Sequence, residues 1–145
     1  MTDQIEGQRT LVSLRIDAAP LSEGELDMQF TGLGDGEPLI GGVTMLTQQL
    51  SDLRDALAGI AATMTPAPAG WFGRPEQPRV GFDVTTGEGD ALQFVFTVAY
   101  ATGAEDYRPP SLAAPVTSAA LSRLAQGLDQ ILQGGQGVVN WTVAE

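Results

Sequence analysis

Apolar residues fall at every second position in five separate stretches, and that period limits the chain to a fold organised around a sheet with one buried face. Val12, Leu14 and Ile16 alternate with Ser13, Arg15 and Asp17, and Leu26, Met28 and Phe30 alternate with Asp27, Gln29 and Thr31. Pro20 and Gly24 punctuate the gap between them, so the two runs read as an antiparallel hairpin. The same pattern returns in Val80, Phe82 and Val84. After the turn Thr86-Gly87-Glu88-Gly89-Asp90 it continues through Leu92, Phe94, Phe96, Val98 and Tyr100. Val139, Trp141 and Val143 predict a short last strand.

Two segments change period. Leu46, Leu50, Leu53, Leu57, Ile60 and Met64 step by four and three, as do Leu121, Leu124, Leu128 and Ile131, with Leu132 next to the last. Each set draws one apolar stripe along a helix. Pro66 and Pro68 stop the first helix, Thr117 or Ser118 caps the start of the second, and Gly134 and Gly135 end it. The remaining segments read as connections: a Gly-rich run over 32–42, a Pro/Gly-rich linker over 65–79, and a loop over 101–116 marked by Pro109, Pro110 and Pro115.

The expected fold is therefore α+β, in the order β-β-α-β-β-α-β. An antiparallel sheet of four to five strands carries both amphipathic helices on one face. Residues 1–145 form one domain, with a polar, frayed start over 1–9. The halves share a plan without residue-by-residue identity, and their loop lengths differ; an ancient duplication is one reading of this.

Composition removes several kinds of chemistry. The chain has no cysteine and no histidine, and its seven basic residues are all arginine. It therefore has no thiolate, no imidazole base or zinc ligand, and no lysine for a Schiff base or a phosphate loop. With a net charge of −11 it lacks the clustered cations that bind nucleic acid or an anionic membrane. No apolar run approaches the roughly 20 residues of a membrane span. The acidic start, Met1-Thr2-Asp3-Gln4-Ile5-Glu6, is unlike a secretory signal, so a cytoplasmic location is expected. No nucleophile-elbow motif and no calcium-loop spacing occurs, so the expectation is a non-enzyme with no cofactor and no metal.

The candidate binding residues are acids and aromatics. Glu23, Glu25, Asp27, Asp35 and Glu37 follow one another with no base between them, and Glu88 and Asp90 occupy the second turn. Such carboxylates read either as solvated turn charge or as a docking surface for a basic protein. Trp71 and Phe72 lie within the Pro/Gly linker and either fold back onto the helical layer or stand exposed as an interface anchor. Burial worth about 2–3 kcal/mol per ring favours folding back. On the longest strand, Val95 and Ala99 share an uncharged outer face, either covered by the C-terminal segment or open for pairing with a second copy.

The element order, the stripe Leu46-x3-Leu50-x2-Leu53-x3-Leu57 and the step Gly70-Trp71-Phe72-Gly73 resemble the WapI-type bacterial immunity proteins and related small domains, over about Leu11 to Leu132. The long linker and the long loop before the second helix depart from that pattern. The resemblance implies a non-enzymatic protein whose acidic surface neutralises a basic toxin. The function expected is thus an immunity or adaptor protein binding a basic partner. The alternative is a self-assembling homo-oligomeric or phage-type module.

Overall fold

The computed structural model describes residues 8–73, 78–87, 89, 91–99 and 109–143. Eight strands and two helices follow in the order β1 (Gln8–Ser22), β2 (Glu25–Gly34), β3 (Leu39–Leu46), α1 (Thr47–Thr63), β4 (Ala67–Phe72), β5 (Arg79–Thr86), β6 (Leu92–Ala99), β7 (Ser111–Val116), α2 (Ser118–Gly134) and β8 (Gly137–Thr142). The strands form a mixed, nearly closed barrel-like sheet in the order β3-β2-β1-β7-β6-β5-β4, with β8 also paired to β1.

The long strand β1 holds the barrel together. One of its edges pairs antiparallel with β2. Its other edge pairs parallel with β7 over Gln8–Thr10, then antiparallel with β8 over Ser13–Ala18. This divides the strands into two curved walls, β8-β1-β2-β3 and β7-β6-β5-β4, which meet at β1.

The two walls are built to one register. Ile16 faces Phe30 and Ala18 faces Met28; 66 positions on, Phe82 faces Phe96 and Val84 faces Phe94. In the next pairing Phe30 faces Gly41 and Met28 faces Val43, as Phe96 faces Leu112 and Phe94 faces Ala114. Each half continues into a helix and a last strand, and those last strands are exchanged. β4 leaves the first half to pair with β5, and β8 leaves the second half to pair with β1. Phe72 thus lies opposite Val80 as Trp141 lies opposite Leu14. The molecule is an internal repeat of two β-β-β-α-β units, each completed by the other's final strand.

Between the walls the side chains form one core that draws on both halves. Phe30 of β2 meets Phe82 of β5 edge-on at 5.2 Å between ring centroids, and Phe82 lies 5.6 Å from Phe96. The walls approach closely where glycine faces them: a Cβ on Gly41 would come within 2.6 Å of Val80, and one on Gly32 within 2.7 Å of Leu112. The helices run antiparallel, since Ser118 Oγ donates to the Ala61 carbonyl at 2.6 Å while Arg54 meets Asp129 farther along. Leu50, Leu53, Leu57 and Ile60 of α1 and their counterparts Leu121, Leu124, Leu128 and Ile131 of α2 are all buried. Trp141 of β8 packs edge-on against Phe94 at 5.0 Å and donates its indole N–H to the Ala120 carbonyl at 2.8 Å.

This architecture corrects the expected one. The helix stripes from Leu50 and Leu121, the Thr117 cap and the five alternating strands stand where expected, with two exceptions. Leu46 is the exposed N-cap of α1, and Val12, at an irregularity in the β1–β2 pairing, points outward at 55% exposure. The sheet, however, is neither four- to five-stranded nor purely antiparallel. It has eight strands, and three lie in segments read as connections. β4 runs through the Pro-rich stretch 65–79, and Pro68 is tolerated because β4 pairs only with β5, where its pairing carries an irregularity between Pro68 and Gly70. β3 starts inside the Gly-rich run, and β7 carries Pro115 near its end. At the N-terminus Gln8 and Arg9 already belong to β1, while residues 1–7 lie outside the described residues.

Candidate functional site

Each wall has an outer face, and the registers define both faces residue by residue. On β8-β1-β2-β3, Val138, Asp17, Gln29 and Gly42 form one row across the strands. Ala19, Asp27 and Thr44 form the next row, and Ser22, Glu25 and Leu46 the last. Asp27, Gln29, Gly42 and Val138 are exposed, with Val138 at 54% and Leu46 at 51%.

A shallow depression of about 320 Å³ lies on this face, floored by Gly42 and Gly137 and walled by Asp17, Asp27 and Val138. A second, of about 300 Å³, shares Asp27 and Gly42 and reaches Pro78 beside β3. Together they make an open groove across the strands. Gly42 leaves it open: a Cβ there would meet nothing nearer than the Met28 carbonyl at 3.9 Å.

The charges here differ in their partners. Asp17 accepts from the guanidinium of Arg15 at 3.1 Å. That hydrogen bond, followed by the attraction of the charge, holds Arg15 above its ordinary value. Glu25 accepts from Ser22 Oγ at 2.7 Å. The side chains of Glu23 and Asp27 make no hydrogen bond or ion pair among the described residues. Thr47 N–H donates to the Gly24 carbonyl at 2.9 Å, which fixes the turn carrying Glu23 and Glu25 against the start of α1.

The other expected site residues are dispersed. Asp35 is structural, because its carboxylate accepts the Thr10 N–H at 2.8 Å and its carbonyl accepts from Arg9 at 3.0 Å. Glu37 contributes its carbonyl to the same arginine at 2.8 Å. The aromatic pair splits: Phe72 folds into the core at 7% exposure, whereas Trp71 stays 48% exposed. The Trp71 ring lies on Gly81, where a Cβ would come within 2.6 Å of it, and the Arg79 guanidinium stands 5.7 Å from its centroid. Glu88 and Asp90 lie outside the described residues. Val95 and Ala99 are half-buried, and β8 does not cover them because it pairs with β1.

Sequence reading missed Asp17, Gly42, Leu46 and Val138 as surface partners of Asp27. The signal for Asp17 and Asp27 was present, since both occupy outward positions of the first hairpin. The pairing of β3 and β8 with that hairpin is what adds the others. Among the described residues no three carboxylates gather to hold a metal, and no buried polar side-chain atom lacks a partner. No helix among them is long and apolar enough to cross a membrane. Comparison with family models, curated proteins and solved structures gives no match at any of the three levels.

Proposed function

We propose that this is a non-catalytic, cytoplasmic protein-binding domain that recognises a basic protein through the outer face of its first half. The observation carrying this reading is that the side chains of Asp27, on the outer row of β2, and of Glu23, on the turn fixed to the start of α1, stand without partners on a half that also exposes Leu46 and Val138. Large apolar side chains set among unpaired charges have the make-up of an interface and its polar rim. An immunity protein masking a basic toxin, or an adaptor, is the form of binder that suits such a surface and the net charge of −11.

The test is affinity capture from the native cell with the tagged chain, at low salt and again at about 0.5 M, where screening confines charge interactions to a few Å. A stoichiometric basic protein released by salt is the expected result. Recovery of the bait alone at both salt levels overturns the reading.

A further inference from the structure

The two halves share one register, so each position of the first can be set beside its counterpart in the second. Leu46 is the N-cap of α1, where its side chain makes no capping bond and is 51% exposed. Its counterpart is Thr117, the N-cap of α2, whose hydroxyl accepts the Ala120 N–H at 3.1 Å. A leucine at an N-cap is a poor choice for the helix, and the molecule contains the better one. Val138 lies opposite Asp17 where Pro68 lies opposite Asp83. Asp27 stands opposite Thr44 where Gln93 stands opposite Pro115, and exposed Gly42 stands where the second half has buried Ala113. At these positions the first half carries an unpartnered carboxylate, exposed Leu46 and open space over Gly42 where its twin carries Gln93, Thr117 and buried Ala113. Both halves keep an exposed apolar side chain, at Val138 and Pro68, and the twin has its own depression of about 290 Å³ at Gln93 and Pro115.

Resting on the binding function proposed above, we infer that the groove across β8-β1-β2-β3 is the docking surface, and that it receives an extended basic segment of a partner protein. A lysine or arginine of that segment sits over Gly42 beside Asp27, and its apolar side chains rest on Leu46 and Val138. Charge selects this occupant: two molecules that each carry −11 repel one another, whereas a cationic segment meets the unpaired carboxylate of Asp27. The groove runs across the strands from Gly137 towards Pro78, which matches an extended chain.

The test titrates the full ¹⁵N-labelled chain with a synthetic peptide of alternating lysine and valine, with a glutamate–valine peptide as control. Amide shifts centred on Asp17, Asp27, Gly42, Leu46 and Val138 are expected with the lysine peptide only. Gly42→Val puts a branched side chain into the groove on a Cβ that meets nothing nearer than 3.9 Å, so it is expected to leave Tm unchanged or raised and to weaken binding at least tenfold; Asp27→Lys is expected to do the same to binding. Leu46→Thr is expected to raise Tm by roughly 2–4 °C while weakening binding severalfold.

Shifts centred on Trp71 and Arg79 would overturn this surface and leave the binding function standing. Equal shifts with the glutamate peptide would overturn the basic partner. Concentration-dependent shifts on this face without peptide would assign it to a second copy instead. No shift anywhere at millimolar peptide would overturn surface and function together.

Discussion

The hairpin of β1 and β2 and that of β5 and β6 have the same register and bury the same kinds of side chain, Ile16 with Phe30 in one and Phe82 with Phe96 in the other. Their outer faces have diverged. On the second hairpin Thr85, Gln93 and Val95, the counterparts of Ala19, Asp27 and Gln29, are all partly covered, and Trp71 lies across Gly81. On the first, Ala19, Asp27 and Gln29 are exposed, and the space over Gly42 is open. Inward positions are held by packing, where a change of one methylene group is felt, so they stay similar. Outward positions are under no such constraint and are free to differ.

The largest way to break the comparison is to break the chain. Each half lends its last strand to the other, so residues 1–73 and 74–145 produced separately should each fail to fold, because each leaves the edge of its first strand bare and its last strand without a partner. Mixed together they should restore the circular-dichroism spectrum and the dispersed amide spectrum of the intact chain. Cooperative unfolding of either half alone would show that the exchange is not needed.

A smaller effect compares the exchanged strands themselves. Phe72 and Trp141 are equivalent, yet Trp141 is the more buried, at 2% against 7%, and alone donates a hydrogen bond into a helix. Trp141→Ala should cost about 5 kcal/mol and Phe72→Ala about 3, measured by denaturant unfolding. Trp141→Phe should cost about 1–2 kcal/mol, largely through the lost bond to Ala120. If Phe72→Ala proves the costlier change, burial is the wrong measure of what each strand contributes.

The helix ends differ by less. Both C-caps are left-handed and donate to the carbonyl four residues back, but one is Met64 at φ 51° and the other Gly135 at φ 75°. A Cβ in that region is strained. Met64→Gly should therefore stabilise the protein by about 1 kcal/mol and Gly135→Ala destabilise it by a similar amount, read as opposite shifts of the thermal midpoint.

Much of this fold could be read from period alone. The helix stripes are strong because Leu50, Leu53, Leu57 and Ile60 repeat over several turns, and so are the strands whose alternation is complete. β3, β4 and β7 were hidden for a shared reason: Gly41, Gly42, Pro68, Gly70 and Pro115 are residues that normally end strands. Here the glycines of β3 either admit a facing wall or leave a groove, and the prolines lie on an edge strand or near a strand end. The repeat was legible only as a shared plan, because the correspondence of 66 positions over the hairpins becomes 71 over the helices, Leu50 matching Leu121, once the longer connection before β7 is passed. Of the site, the acids of the first hairpin were legible, but Gly42, Leu46 and Val138 join Asp27 only through strand pairing that no local pattern encodes.

The smallest expected effect lies where the helices meet. Arg54 of α1 donates to Asp129 of α2 at 2.6 Å and to Asp55 at 3.0 Å, whereas the counterparts of Arg54 and Asp129 are Ala125 and Ala58. The bond to Asp129, then that to Asp55, raises the Arg54 pKa above its ordinary value. A raised arginine contributes its stability below its ordinary value and loses it only as pH climbs through the raised one, so this bridge adds no pH dependence near neutrality. Its partners are a third or more open to water, and its effect should be screened by salt. Arg54→Ala is expected to lower Tm by no more than about 3 °C at low salt and by less at high salt. A larger, salt-insensitive loss would mean that the helices depend on this one asymmetric clasp more than on the leucine stripes they share.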